Sequence, residues 1–291
     1  MSIASSVWEA ATTKFRGRPA EARAAADESP PIVVRRMDFG FEDLPRHWFD
    51  NDPFLTQLVN GLHFVFPAGE RFFIRGVRSF YRDLPAEHKA AAAAFFGQEA
   101  EHQREHLAAF AAIEAQGFRV SDFIEWYERV AYGDIEKRFT PKARLAATVA
   151  LEHYTAVLGE FALRSPQLRT CHPRMRDLLL WHAAEEVEHK SVAFDVLKEV
   201  DPSYALRMRG FALGTVALFF FWGAGVRHML AQEPLRDRLP TRRTLELLLS
   251  PEFRGAVARW FDFLKPDFHP NDHDNYHLAK EYLEEIGRLT H

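Results

Sequence analysis

Apolar residues recur at helical spacing along most of the chain, and no stretch alternates as a strand does. Proline, glycine and small polar residues then mark where each helix starts and stops. Asp52-Pro53 opens a predicted helix over 53–66, and Pro67, suited to a first turn, restarts one over 67–83. Pro85 precedes a long alanine-rich helix, 86–116, closed by Gly117. Ser121, with Glu125 near the capping-box position, predicts a helix over 121–138, and Thr140-Pro141 one over 141–164. His172-Pro173 starts a helix to 200, ended by Asp201-Pro202, and a very apolar one follows over 203–232. Shorter helices are expected at 242–249 and 252–264, and a last one from 276. The expectation is an all-α chain: an extended arm over 1–52, acting as a tail or packing strap, then one helical domain over 53–291 with a C-terminal helical extension.

Composition narrows the function more than the fold. Apolar residues at 47% and charged residues at 27% are a globular balance. The 37 basic against 41 acidic residues give a net charge of -4, which argues against a nucleic-acid partner. The single cysteine, Cys171, excludes an internal disulfide framework and a cysteine-rich zinc or iron–sulfur site. Glu9, Glu21, Asp27 and Glu28 interrupt an amino terminus that has no apolar core, so no secretory signal is expected and the cytoplasm is the expected compartment. The uncharged run 211–226, flanked by Arg207, Arg209, Arg227 and His228, is shorter than the ~20 residues a bilayer span needs. It reads first as a core helix or cavity lining, with a peripheral membrane contact or a homodimer face as the alternatives.

The chemistry lies in carboxylates that solvation does not require. In Gln98-Glu99-Ala100-Glu101-His102, Glu99 and His102 are three apart, roughly 60° on the wheel at 100° per residue. In Trp181-His182-Ala183-Ala184-Glu185-Glu186-Val187-Glu188-His189, positions 182, 186 and 189 fall within about 60° of one another. The same arithmetic turns Glu188 about 100° away from His189 and leaves Glu185 marginal. Glu-x-x-His lets one helix offer an oxygen and an imidazole to one metal ion. Glu70 and Glu152, each isolated among apolar neighbours, supply the remaining acids; such groups are costly to bury unless a cation or hydrogen bonds compensate them. Carboxylates also offset the repulsion between two nearby divalent ions. His106 is read first as a partner of the ligands, with direct ligation or a proton-donor role as the alternatives; Tyr154 is a candidate neighbour of the metals, with a core tyrosine as the first reading. His153 is turned away, and the tract 269–277 is expected to form turns and cap the last helix.

The order Glu, Glu-x-x-His, Glu, Glu-x-x-His along four helices resembles the ferritin-like di-iron carboxylate proteins, whose fold is a four-helix bundle. The extra His182 is similar to the His-x-x-x-Glu-x-x-His helix of p-aminobenzoate-type arylamine N-oxygenases. That resemblance implies seven ligands: Glu70, Glu99, His102, Glu152, His182, Glu186 and His189. Ala150–Ala156 and Trp181–Asp195 also resemble the bacterial family labelled "predicted metal-dependent hydrolase", over roughly residues 35 to 285.

What these resemblances imply is a non-haem di-iron oxygenase or oxidase. Two Fe ions, with Mn/Fe or Zn as substitutes, would activate dioxygen, supplied with electrons by an external donor, to oxidise an apolar or aromatic small molecule. The alternative is a metal-dependent hydrolase using a metal-bound hydroxide, and a third reading is iron storage. The 26 Phe residues, Trp181 among their neighbours, fit a dry substrate pocket.

Overall fold

Proline and hydroxyl or carboxylate caps set most helix starts. The computed structural model describes residues 29–290, and among them the chain is all-α with no strand. Helix α1 (Pro53–His63) begins where the Asp52 carboxylate accepts the Leu55 N–H, and α2 (Phe66–Arg78) follows with Pro67 in its first turn. The long α3 (Ala86–Ala115) is followed by α4 (Val120–Glu128). Thr140 caps α5 (Pro141–Arg164), and His172-Pro173 opens α6 (Pro173–His189). Then come α7 (Val192–Val200), α8 (Tyr204–Leu230, capped by Ser203), α9 (Arg242–Leu248), α10 (Pro251–Trp260) and α11 (Tyr276–Glu285).

Four of these helices position the site. Helix α2 packs on α3 and α5, and α6 packs on the same two, so the four close a ring around a shared interior. Residues 29–52 do not trail in solvent. Met37, Phe39, Phe41, Leu44, Trp48 and Phe49 are buried in the main core, and the Arg35 guanidinium enters the interior beside α6. The first 28 residues of the expected arm lie outside the described residues.

Helix α8 lies across α5 and α1, and glycines let the backbones touch. A Cβ on Gly210 would stand 2.2 Å from the carbonyl oxygen of Ala146, and Gly61 and Gly225 meet at similarly close range. Such contacts leave no room for even one methyl, and overpacking of this kind costs ~1–3 kcal/mol. Gly210→Ala is therefore expected to push α8 off α5 and lower the unfolding midpoint by several degrees, read by thermal unfolding, whereas Gly223→Ala, which meets nothing, leaves it nearly unchanged.

Several local expectations are corrected. The predicted helix 173–200 breaks at 190–191, where buried Lys190 donates to the carbonyl of His273 and to Asn275 Oδ1. Ser121 does not cap α4; its backbone N–H and hydroxyl donate to Glu114 of α3. Beyond Glu128 the chain widens into a π-turn (Arg129–Ile135) that ends at Glu136, held by Arg75. The tract 269–277 forms turns, with a capping box between His269 and Asp272, but no side chain of it caps α11. Asn275 is occupied by Lys190 and Glu160 instead. Arg207, which flanks the apolar run, is buried and donates to the carbonyls of Lys265 and Phe268.

Candidate metal centre

Each wall of the helical ring contributes acid to the same interior point. Glu70 comes from α2, Glu99 and His102 from α3, Glu152 from α5, and His182, Glu186 and His189 from α6. All seven are buried, none more than 4% exposed. Their donor atoms form overlapping groups whose members lie within 4.8 Å of one another: Glu99, Glu152 and His189; Glu70, Glu99 and His102; His102, His182 and Glu186. Two lobes result. In one, His189 Nε2 stands 3.4 Å from Glu99 Oε1, 3.5 Å from Glu152 Oε2 and 3.4 Å from Glu186 Oε2. In the other, His102 Nδ1 is 3.8 Å from both Glu99 and Glu186, and His182 Nε2 is 3.8 Å from Glu70. Glu99 and Glu186 lie between the lobes and face both.

These atoms lack the partners that buried polar groups normally have. Both oxygens of Glu70, Glu99 and Glu152, Oε2 of Glu186, Nδ1 of His102 and Nε2 of His189 make no hydrogen bond. Burial, reinforced by neighbouring carboxylates, pushes Glu70, Glu99 and Glu152 above the usual carboxylate range. Burial acts on Glu186 in the same sense, but the imidazoles of His189 and His182 outweigh it and hold this carboxyl well below that range. Burial and the neighbouring His102 lower His182 to about 4. Four carboxylates and neutral imidazoles balance the charge of two divalent cations, and the orphaned atoms point where such ions would sit. The residues fit a metal pair.

A second layer fixes the imidazoles through their other nitrogens. His102 Nε2 pairs with Glu185 at 3.1 Å, and Glu185 also accepts from Trp181 Nε1 and Arg35. His189 Nδ1 pairs with Gln98 Oε1 at 2.8 Å, and Gln98 donates to Glu188, which holds Arg35 at 2.6 and 2.9 Å. Glu185 and Glu188, off the ligand face on the helical wheel, are thus buried supports and not a solvated edge. His106 lies against the candidate ligands, its Nε2 2.6 Å from His182 Nδ1. Tyr154 is a core tyrosine. Two residues past Glu152 it faces away, bonds Thr215 at 2.9 Å and packs on Phe211 and Trp260.

The sequence reading also missed His63. It is fully buried, both ring nitrogens lack partners, and its ring lies 4.4 Å from that of His106. Burial, with His182 nearby, lowers it to about 3, so it stays neutral. An imidazole in the apolar run Leu62-His63-Phe64-Val65-Phe66 carries the signal that singles out Glu152. His153 hydrogen-bonds the carbonyls of Arg259 and Trp260, away from the centre. His269 and His273 pair with separate acids, Asp195 and Asp262.

Two adjacent apolar cavities flank the centre. One, of about 130 Å³, has His182 and Glu186 in its wall together with His63, Thr155 and otherwise hydrocarbon from Leu58, Phe161, Leu179 and Trp222. The other, of about 210 Å³, shares Leu62, Phe66, Thr155 and Leu158 with it and reaches Val216 and Phe220 of α8.

A family model described as "Predicted metal-dependent hydrolase" matches residues 33–274. No curated protein and no solved structure matches the chain.

Proposed function

The chain belongs to the predicted metal-dependent hydrolase family, and from that premise we propose that it is a dinuclear metal enzyme that oxidises a small apolar or aromatic molecule with dioxygen. The observation that carries the reading is the cavity wall at His182 and Glu186, whose other lining is almost wholly hydrocarbon. A ligand held there is apolar, and it lies against two of the seven candidate ligands. Among the described residues no Lys or Arg faces that cavity to grip a phosphate or carboxylate. Closely held carboxylates suit two irons, which when bound supply the two-electron chemistry that dioxygen requires.

The residues divide the work. Glu70, Glu99, Glu152 and Glu186 would supply oxygen to the ions, and His102, His189 and His182 would supply nitrogen. Glu185 and Gln98 hold two of those imidazoles in the required tautomer. Phe66 and Phe95, packed edge-on against His182 and His189, exclude water from the centre. For a hydroxylation the balance is one C–H (or N–H) bond and dioxygen, with two electrons and two protons from an external donor, giving the hydroxylated product and water.

The family description favours a second reading, hydrolysis by water activated at the same ions. One experiment separates the two. Protein loaded anaerobically with ferrous iron should bind about two ions per chain and consume oxygen on exposure to air, changing its visible spectrum. Zinc-loaded protein that cleaves p-nitrophenyl esters without oxygen would support hydrolysis instead. Iron uptake far above two per chain would point to storage.

A further inference from the structure

We infer that the outward face of α8 docks on an anionic phospholipid surface, where the cavities beside the metal centre take up an apolar substrate. Docking follows from the surface alone; only the uptake rests on the proposed function.

Three observations meet on this helix. The first is an apolar outer face. Val216 is 69% exposed, Phe220 57% and Phe219 43%, in the middle of a helix that is long and apolar enough to cross a membrane. Its inner face cannot be released for crossing, because Gly210, Gly214 and Gly225 seat it directly on α5 and α1. The helix is held with its apolar side outward, as a helix lying in a bilayer interface is.

The second is charge. Residues 202–232 contain no Asp or Glu, and exposed Arg209 and Arg227 stand at the two ends of the apolar stretch, 18 residues or roughly 27 Å apart at 1.5 Å per residue. Cations at both ends of an apolar stripe complement a layer of phosphate headgroups over acyl chains. They do not suit a second copy of this chain, since two-fold pairing of the face would set cationic end against cationic end with no acid in the helix to offset it.

The third is continuity with the interior. Val216 and Phe220 belong to the wall of the larger cavity. Trp222 and Leu58 border both a surface groove beside Phe219 and the smaller cavity that contains His182 and Glu186. Molecules dissolved in acyl chains under this face would therefore have a mainly apolar route, through the two cavities, to the metal ligands.

Co-sedimentation of the full chain with vesicles tests the docking without any assay of activity. Wild-type protein should sediment with vesicles of phosphatidylcholine mixed with phosphatidylglycerol, and far less with phosphatidylcholine alone. Added salt should weaken that binding. The pairs Val216→Asp with Phe220→Asp, and Arg209→Glu with Arg227→Glu, should each weaken it about tenfold or more. Circular dichroism and bound-metal content identify any variant that fails to fold, and single substitutions then replace the pair. The inference is overturned by absence of binding to the anionic vesicles, or by binding that a folded variant retains in full. A wild-type dimer that Val216→Asp with Phe220→Asp dissociates would also overturn it, because the face would then be covered by a second copy. Failure here leaves the oxygen-consumption test untouched, and failure of that test leaves vesicle binding standing.

Discussion

Glu99→Ala is expected to leave the protein without a bound metal pair. Its carboxylate lies in both lobes, within reach of His189 on one side and His102 on the other. Losing it removes one of four negative charges and an oxygen from each lobe, so metal content should fall from about two ions per chain to a small fraction of one. Stability distinguishes ligation from packing. Saturating ferrous or manganous ion should raise the unfolding midpoint of the wild type by about 10 °C or more, given that each ion at ~100 times its dissociation constant contributes about 2.7 kcal/mol. Glu99→Ala should show almost no such shift. Without metal the variant should be at least as stable as the metal-free wild type, because it deletes a buried acid whose ionisation burial already opposes. A large loss of stability in the metal-free variant would instead mark Glu99 as a structural residue.

Arg35→Met should be nearly as damaging from outside the ligand set. Arg35 is 1% exposed and ties Glu185 and Glu188 together, donating also to the carbonyls of Val33, Arg288 and Leu289. Methionine keeps much of the volume but leaves two buried carboxylates without their cation, which costs about 3–5 kcal/mol. For a chain this long, that is a midpoint lower by roughly 5–8 °C. Metal affinity should fall as well, by ~10–100-fold, because Glu185 and Gln98 orient His102 and His189. Adding Glu188→Gln should recover part of the stability by removing one of the stranded charges. A loss under about 0.5 kcal/mol would show that the buried pairing of Arg35 contributes little to stability.

Arg35 also marks the limit of what the chain discloses by itself. Ligand candidates were legible because helical geometry is local: residues three and four apart share a face whatever surrounds them, and Glu152 stands alone in an apolar run. The helix starts were legible for the same reason, since proline and a capping side chain act within one turn. What was not legible depends on distant pairing. Arg35 meets Glu188 across 153 positions, and Gln98 meets His189 across 91, separations that no periodicity encodes. The wheel turned Glu188 off the ligand face, but it could not tell solvent from a buried guanidinium on that side. For Tyr154 the wheel alone favours the core over the metal centre, since it lies about 200° round from Glu152. The break after His189 was hidden because burial of Lys190 by the 273–275 loop is tertiary.

In the proposed enzyme, residues from four separate helices would jointly hold two cations in one buried chamber. Anomalous diffraction from crystals of the manganese- or iron-loaded protein reads this directly. Two peaks per chain, both enclosed by Glu70, Glu99, Glu152, Glu186 and the imidazoles of His102, His182 and His189, are the predicted result. A single peak, or peaks only at histidines outside the ring such as His269 and His273, would contradict it.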